Sequence, residues 1–173
     1  MGSATANTRA AVSPLPDIIG LGGALAGLIG GLAMALVAAL MAFVQRQDIW
    51  REAKAISIVV LGPQAAAQPG FAALPVLTGT LIHLIIAMLL GALFGIVTRR
   101  WLHLPSDFGI PLVAGLSYGL LVWLIAYFVV LPLADPWLLD SYAPAFIVQH
   151  IVYGSVTGLC YAWLQPSPYD ASE

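Results

Sequence analysis

Charge is what this chain has least of. Only 8% of its 173 residues are Asp, Glu, Lys or Arg, and none lies inside the four apolar runs 18–44, 74–98, 110–131 and 145–164. Intramembrane acids and bases are the usual carriers of proton relays, ion coordination and substrate charge pairing, so their absence there argues against an ion-coupled transporter. The six Lys and Arg are scattered and the formal net charge is -2, which leaves no basic patch for nucleic acid. Cys160 is the single cysteine, which excludes an internal disulfide and a cysteine metal cage and points to a packing role. The runs have no interior prolines to break a helix around a substrate. Ser117 and Ser155 have no carboxylate within their runs to complete a catalytic triad, so no enzymatic activity is expected.

What the chain does have is apolar length. It is 61% hydrophobic, with a mean hydropathy of +0.96, a surface that water would not tolerate on a globular domain. The run 18–44 reaches about 40 Å at 1.5 Å per residue, more than the ~30 Å hydrocarbon core, so it spans with tilt. A signal peptide would have a shorter apolar core and a basic lead, so the run is expected to be retained. The expected fold is all-α: a polytopic membrane protein with a four-helix transmembrane bundle. Residues 1–17 form a polar N-terminal arm, 18–164 a single transmembrane domain with helices at the four runs, and 165–173 an acidic C-terminal tail.

Between the first two runs, Asp48 can cap a short helix with Ile49, Ala53, Ile56 and Val60 on one stripe, stopped at Gly62 and Pro63. Arg51, Glu52 and Lys54 lie off the stripe. That pattern suits an interfacial helix in the headgroup region, and equally a short helix packed on the bundle. Arg99, Arg100 and Trp101 are expected to anchor the second span at the interface.

Small residues recur at four-residue spacing in every run: Gly23, Gly27 and Gly31; Gly79, Gly91 and Gly95; Gly115 and Gly119; Gly154 and Gly158. Such ridges predict GxxxG-type close packing, because the absence of side chains lets backbones approach. His83 and His150 sit in two of these ridges, on spans that enter from the same membrane face, at depths within about one turn of each other. Two readings stand side by side. Either each imidazole bonds a backbone carbonyl or a hydroxyl and fixes register, with no cofactor present, or the pair binds a b-type haem or a quinone headgroup. Neither histidine belongs to a zinc motif, so no metal site is expected.

Trp50 and Lys54 leading to Val60, Leu61 and Gly62; Gly79 and His83; Gly115, Tyr118, Gly119 and Trp123; Leu131 and Pro132; and His150, Tyr153, Gly154 and Gly158 together form a recognisable pattern. It resembles a group of small four-helix bacterial integral membrane proteins with no assigned activity. The resemblance implies the fold and a bacterial inner membrane, and it carries over no catalytic residue.

The function expected from these features is that of a non-catalytic accessory subunit in a larger membrane complex, with respiratory or photosynthetic electron transfer the leading class. Its partners would be the lipid bilayer and other membrane subunits. A channel or carrier for a small neutral or lipidic solute is the rival reading. Basic residues tie across the membrane: Arg9, Arg99 and Arg100 against Arg46, Arg51 and Lys54. The connection 132–144 has no Lys or Arg, which favours cytoplasmic termini.

Overall fold

The computed structural model describes residues 20–107, 109–134 and 143–165. The polar arm 1–17, most of the acidic tail, and Asp135, Trp137, Asp140 and Tyr142 of the last connection lie outside them. Within them the chain is helical: α1 Leu21–Val44, α2 Arg51–Leu61, α3 Ala73–Ile96, α4 Ile110–Ile125 and α5 Ala143–Leu164. Four of the helical stretches are long and apolar enough to cross a membrane. Leu25, Leu36, Leu77, Leu89, Leu121 and Leu159 are all exposed, as side chains that face acyl chains must be.

Two helices run past the expected ends. A π-turn, Val97–Trp101, carries α3 beyond residue 98. A second, Ala126–Val130, carries α4 into a last α-helical turn, Leu131–Ala134, beyond the expected end at 131. Pro132 has no N–H to give to the i−4 ladder, and the shift to π spacing falls immediately before it.

Backbone approach organises the bundle. α1 runs antiparallel to α3: Gly23 faces Gly91 and Ala92, Gly27 faces Ala87 and Gly91, and Gly31 faces Ala87. A Cβ on Gly91 would lie 2.5 Å from Gly27 Cα. α4 and α5 form the second antiparallel pair, with Gly115 and Gly119 against Gly154 and Gly158. Gly30 of α1 meets Tyr153 and Thr157, which joins the pairs.

Three tyrosines then stitch the other helices to α3. Tyr153 Oη donates to Ala87 O at 2.8 Å, Tyr161 Oη to Gly95 O at 3.2 Å and Tyr118 Oη to Leu90 O at 2.7 Å. Tyr153 and Tyr161 are as far apart as Ala87 and Gly95, so α5 runs parallel to α3 in fixed register. Tyr153→Phe removes the hydroxyl from a site that is 2% exposed and leaves its cavity largely filled. The expected loss is ~1 kcal/mol, read as a lowered thermal midpoint in detergent.

The short helix α2 turns one of its charges, Lys54, inward. Its buried residues are Lys54, Ala55 and Ser57, while Val59 and Val60 are exposed. The Ala53 carbonyl lies so close to Gly79 that a Cβ there would sit 2.6 Å from the carbonyl carbon. α2 is therefore packed on the first turns of α3. Asp48 caps the helix differently from the sequence expectation: Trp50 is the N-cap residue and makes no side-chain bond. Asp48 Oδ1 accepts the Trp50 N–H at 3.0 Å, and Oδ2 pairs with Lys54 Nζ at 2.5 Å. Lys54 also donates to Gln68 O and to Gly70 O, so one ammonium pins the 62–72 linker to the bundle. A point charge with three donors is buried where three acceptors meet it.

Candidate functional site

The register of α3 against α5 sets His83 level with Gln149 and next to His150. His83 is half-buried, with Nε2 3.0 Å from Gly31 O of α1. His150 is 5% exposed, with Nδ1 2.8 Å from Phe146 O of its own helix. A carbonyl offers only lone pairs, so each of these nitrogens carries the proton. The lone pairs remaining are on His83 Nδ1 and His150 Nε2. An aromatic row leads outward from them: Phe146 packs on the His150 ring at 4.4 Å, Tyr127 lies 6.2 Å from Phe146, and Trp123 stacks on Tyr127 at 5.9 Å.

Glu52 completes this layer, and no pattern in the sequence placed it there. α2 brings its carboxylate to Gln149, whose Nε2 donates to Oε1 at 2.8 Å. Gln149 is 1% exposed, and its own Oε1 has no hydrogen-bond partner. Burial holds the Glu52 carboxyl above the ordinary carboxylate range, while the Gln149 bond and the Arg51 charge pull it part of the way back. The argument against intramembrane charge therefore needs correcting: no acid lies within a span, yet a neighbouring helix delivers one to the spans' polar layer. A signal existed in Gly79, whose small-residue ridge begins with no partner in any other apolar run and finds Ala53 of α2.

This placement has a measurable consequence. A carboxyl whose folded pKa is raised binds more protons folded than unfolded, so stability falls as pH climbs from its usual 4.5 through the raised value. Glu52→Gln removes that loss while the new amide oxygen still accepts from Gln149. The variant should match or exceed the wild-type thermal midpoint at neutral pH, and its midpoint should vary less with pH. A clear drop would mean that the ionised carboxylate is a structural requirement.

Neither of two pockets that open among the described residues is lined by a histidine. One of about 400 Å³, counting its open mouth, lies among Met41, Ala42, Gln45, Gln47, Arg51, Glu52, Ala145 and Phe146. The other, about 270 Å³, lies at the opposite end beside Arg99, Ser106 and Tyr161. There Arg99 donates to Leu104 O and Gln165 O and sits 5.4 Å over the Tyr161 ring. Among the described residues, no three His, Cys, Asp or Glu side chains are grouped to hold a metal ion.

The fold and its lipid-facing surface define a multi-pass integral membrane protein built on four apolar helices. A model of a family of unknown function, DUF6789, matches residues 19–172, and the chain belongs to that family. No curated protein and no solved structure matches it.

Proposed function

We propose that this protein is a non-catalytic accessory subunit of a larger complex in the bacterial cytoplasmic membrane, with its termini on the cytoplasmic side, electron-transfer complexes being the leading class. The observation that carries this reading is the stitched interior. Glycine ridges bring backbones together, and three tyrosine hydroxyls lock α4 and α5 onto α3 carbonyls. Such a core suits a rigid scaffold better than a carrier, whose helices must part to alternate access. α4 offers the docking face: Gly115 and Gly119 are its buried residues, and Leu120, Leu124 and Phe128 are exposed.

A second reading is favoured by the polar layer. His83 and His150 are each anchored through one nitrogen and keep a lone pair on the other, an arrangement suited to accepting hydrogen bonds from a quinol or similar headgroup. Bis-histidine haem ligation fits less well, because the His83 Nε2 is already engaged with Gly31.

Gentle detergent extraction from native membranes followed by native gels and an absorption spectrum tests both readings. The subunit reading predicts co-migration with other membrane proteins. A discrete particle of 18.2 kDa plus detergent with no companion contradicts it. A Soret band that is lost in both His83→Ala and His150→Ala would restore the haem reading.

A further inference from the structure

The pocket at the end of the bundle opposite Glu52 is lined by one charged side chain, Arg99. Its walls include Thr98 and Arg99 from the π-turn that extends α3, Ile110 and Pro111 from the first turn of α4, and Tyr161 and Ala162 from the last turn of α5. All three apolar spans reach the membrane surface here, the level at which phospholipid headgroups begin. Arg99 is half-buried, and it meets the pocket with its head rather than only its stem. Nη1 donates to Leu104 O at 3.0 Å and Cζ lies 5.4 Å over the Tyr161 ring, and both of those residues are walls of the same pocket. The Leu104 and Gln165 carbonyls take two of the guanidinium's five N–H donors. Among the described residues no carboxylate pairs with Arg99, and none lines the pocket. A guanidinium with donors to spare and no counter-ion, at the edge of a low-dielectric slab, draws in an anion.

We propose that this pocket binds the phosphate diester of an anionic phospholipid, held by the Arg99 N–H groups that the two carbonyls leave over. Basic pockets between transmembrane helices at the membrane surface are matched to anionic headgroups. A guanidinium is the side chain best matched to phosphate. The apolar walls from Leu104, Ile110 and Ala114 receive the glycerol end and the start of the acyl chains. A soluble phosphate offers the same oxygens but leaves those walls bare, so the assignment is to a lipid. An ethanolamine or choline headgroup brings a second cation to a pocket that has an arginine and no carboxylate, which cancels most of the attraction. Arg100 is exposed and lies outside the pocket, so it adds to the local potential without holding the phosphate. The site goes beyond the subunit reading and holds whether or not the protein has partners.

The test uses the full-length protein reconstituted into vesicles containing equal parts of phosphatidylglycerol, phosphatidylethanolamine and phosphatidylcholine. Native mass spectrometry then counts the lipids retained after gentle release. The expected result is about fivefold preference for phosphatidylglycerol over each of the others, lost in Arg99→Gln and kept in Arg100→Gln, which removes the same charge outside the pocket. Equal retention of all the lipids would overturn the proposal. Equal loss of preference in both variants would also overturn it, because the selectivity would then belong to the basic surface as a whole. Excess inorganic phosphate should leave the retained phosphatidylglycerol in place, and its displacement would mean that the site takes a soluble anion. Should Arg99→Gln fail to fold, Ile110→Trp, at a half-exposed wall position, blocks the pocket with Arg99 intact. Unchanged phosphatidylglycerol retention in that variant would contradict the assigned pose.

Discussion

Gly154→Val is expected to separate α4 from α5 and to be among the most damaging single substitutions in the bundle. A Cβ at this position would lie 2.7 Å from both Gly119 Cα and Gly119 N, with the Gly115 carbonyl closer still. All of these are backbone atoms, so no side chain can rotate away. Relief requires moving a whole helix, which Tyr118 holds to α3 at Leu90. Overpacking in a well-filled core costs ~1–3 kcal/mol and sometimes more, and a backbone clash belongs at or beyond the upper end. The thermal midpoint in detergent should fall steeply. Leu121→Ala, on the exposed side of α4 at 51% exposure, should stay within ~0.5 kcal/mol of wild type.

The second large effect is expected at Lys54. Lys54→Ala leaves the Asp48 carboxylate and the Gln68 and Gly70 carbonyls without their shared donor. Removing one partner of a buried pair costs ~3–5 kcal/mol, and the partly exposed Asp48 brings the expectation to the low end of that range. The damage should be local. Limited proteolysis should cut between residues 62 and 72 in the variant while the spans stay intact.

Acid should imitate the mutation. Burial alone would raise the Asp48 carboxyl, but the Lys54 hydrogen bond, the Trp50 amide and the Lys54 charge more than offset it, and the net shift is downward. A carboxyl depressed in the folded state stabilises above its unfolded value near 3.8 and loses that contribution as pH falls through the folded value. Wild-type linker protection should therefore persist at neutral pH and vanish only in strong acid, and Lys54→Ala should show no such transition.

Apolar length against bilayer thickness made the spans legible from sequence, because that comparison needs no knowledge of neighbours. Glycine spacing gave the faces that would pack, while their pairing required coordinates: nothing in Gly115 and Gly119 names Gly154 and Gly158 as partners. The apolar run of α4 ends at Leu131, and the π-turn that carries the helix past Pro132 has no sequence mark of its own. His83 and His150 could be placed in one layer by counting residues. Glu52 could not, because amphipathic reasoning sends a charge on a short connecting helix to the water side. Its partner Gln149 is 97 residues away. Local patterns report on a helix's own faces, and this contact depends on how α2 is carried back against the spans.

The most direct test of the account asks whether α2 really brings residue 52 to residue 149. In a Cys160→Ser background, Glu52→Cys combined with Gln149→Cys should be joined by a short bis-methanethiosulfonate linker in native membranes, with the linked peptides identified by mass spectrometry. The account predicts efficient linkage together with slow labelling of the Glu52→Cys single variant by a membrane-impermeant maleimide. No linkage, with rapid labelling at position 52, would mean that α2 lies in the headgroups with its charges outward and that the polar layer around His83 and His150 has no carboxylate.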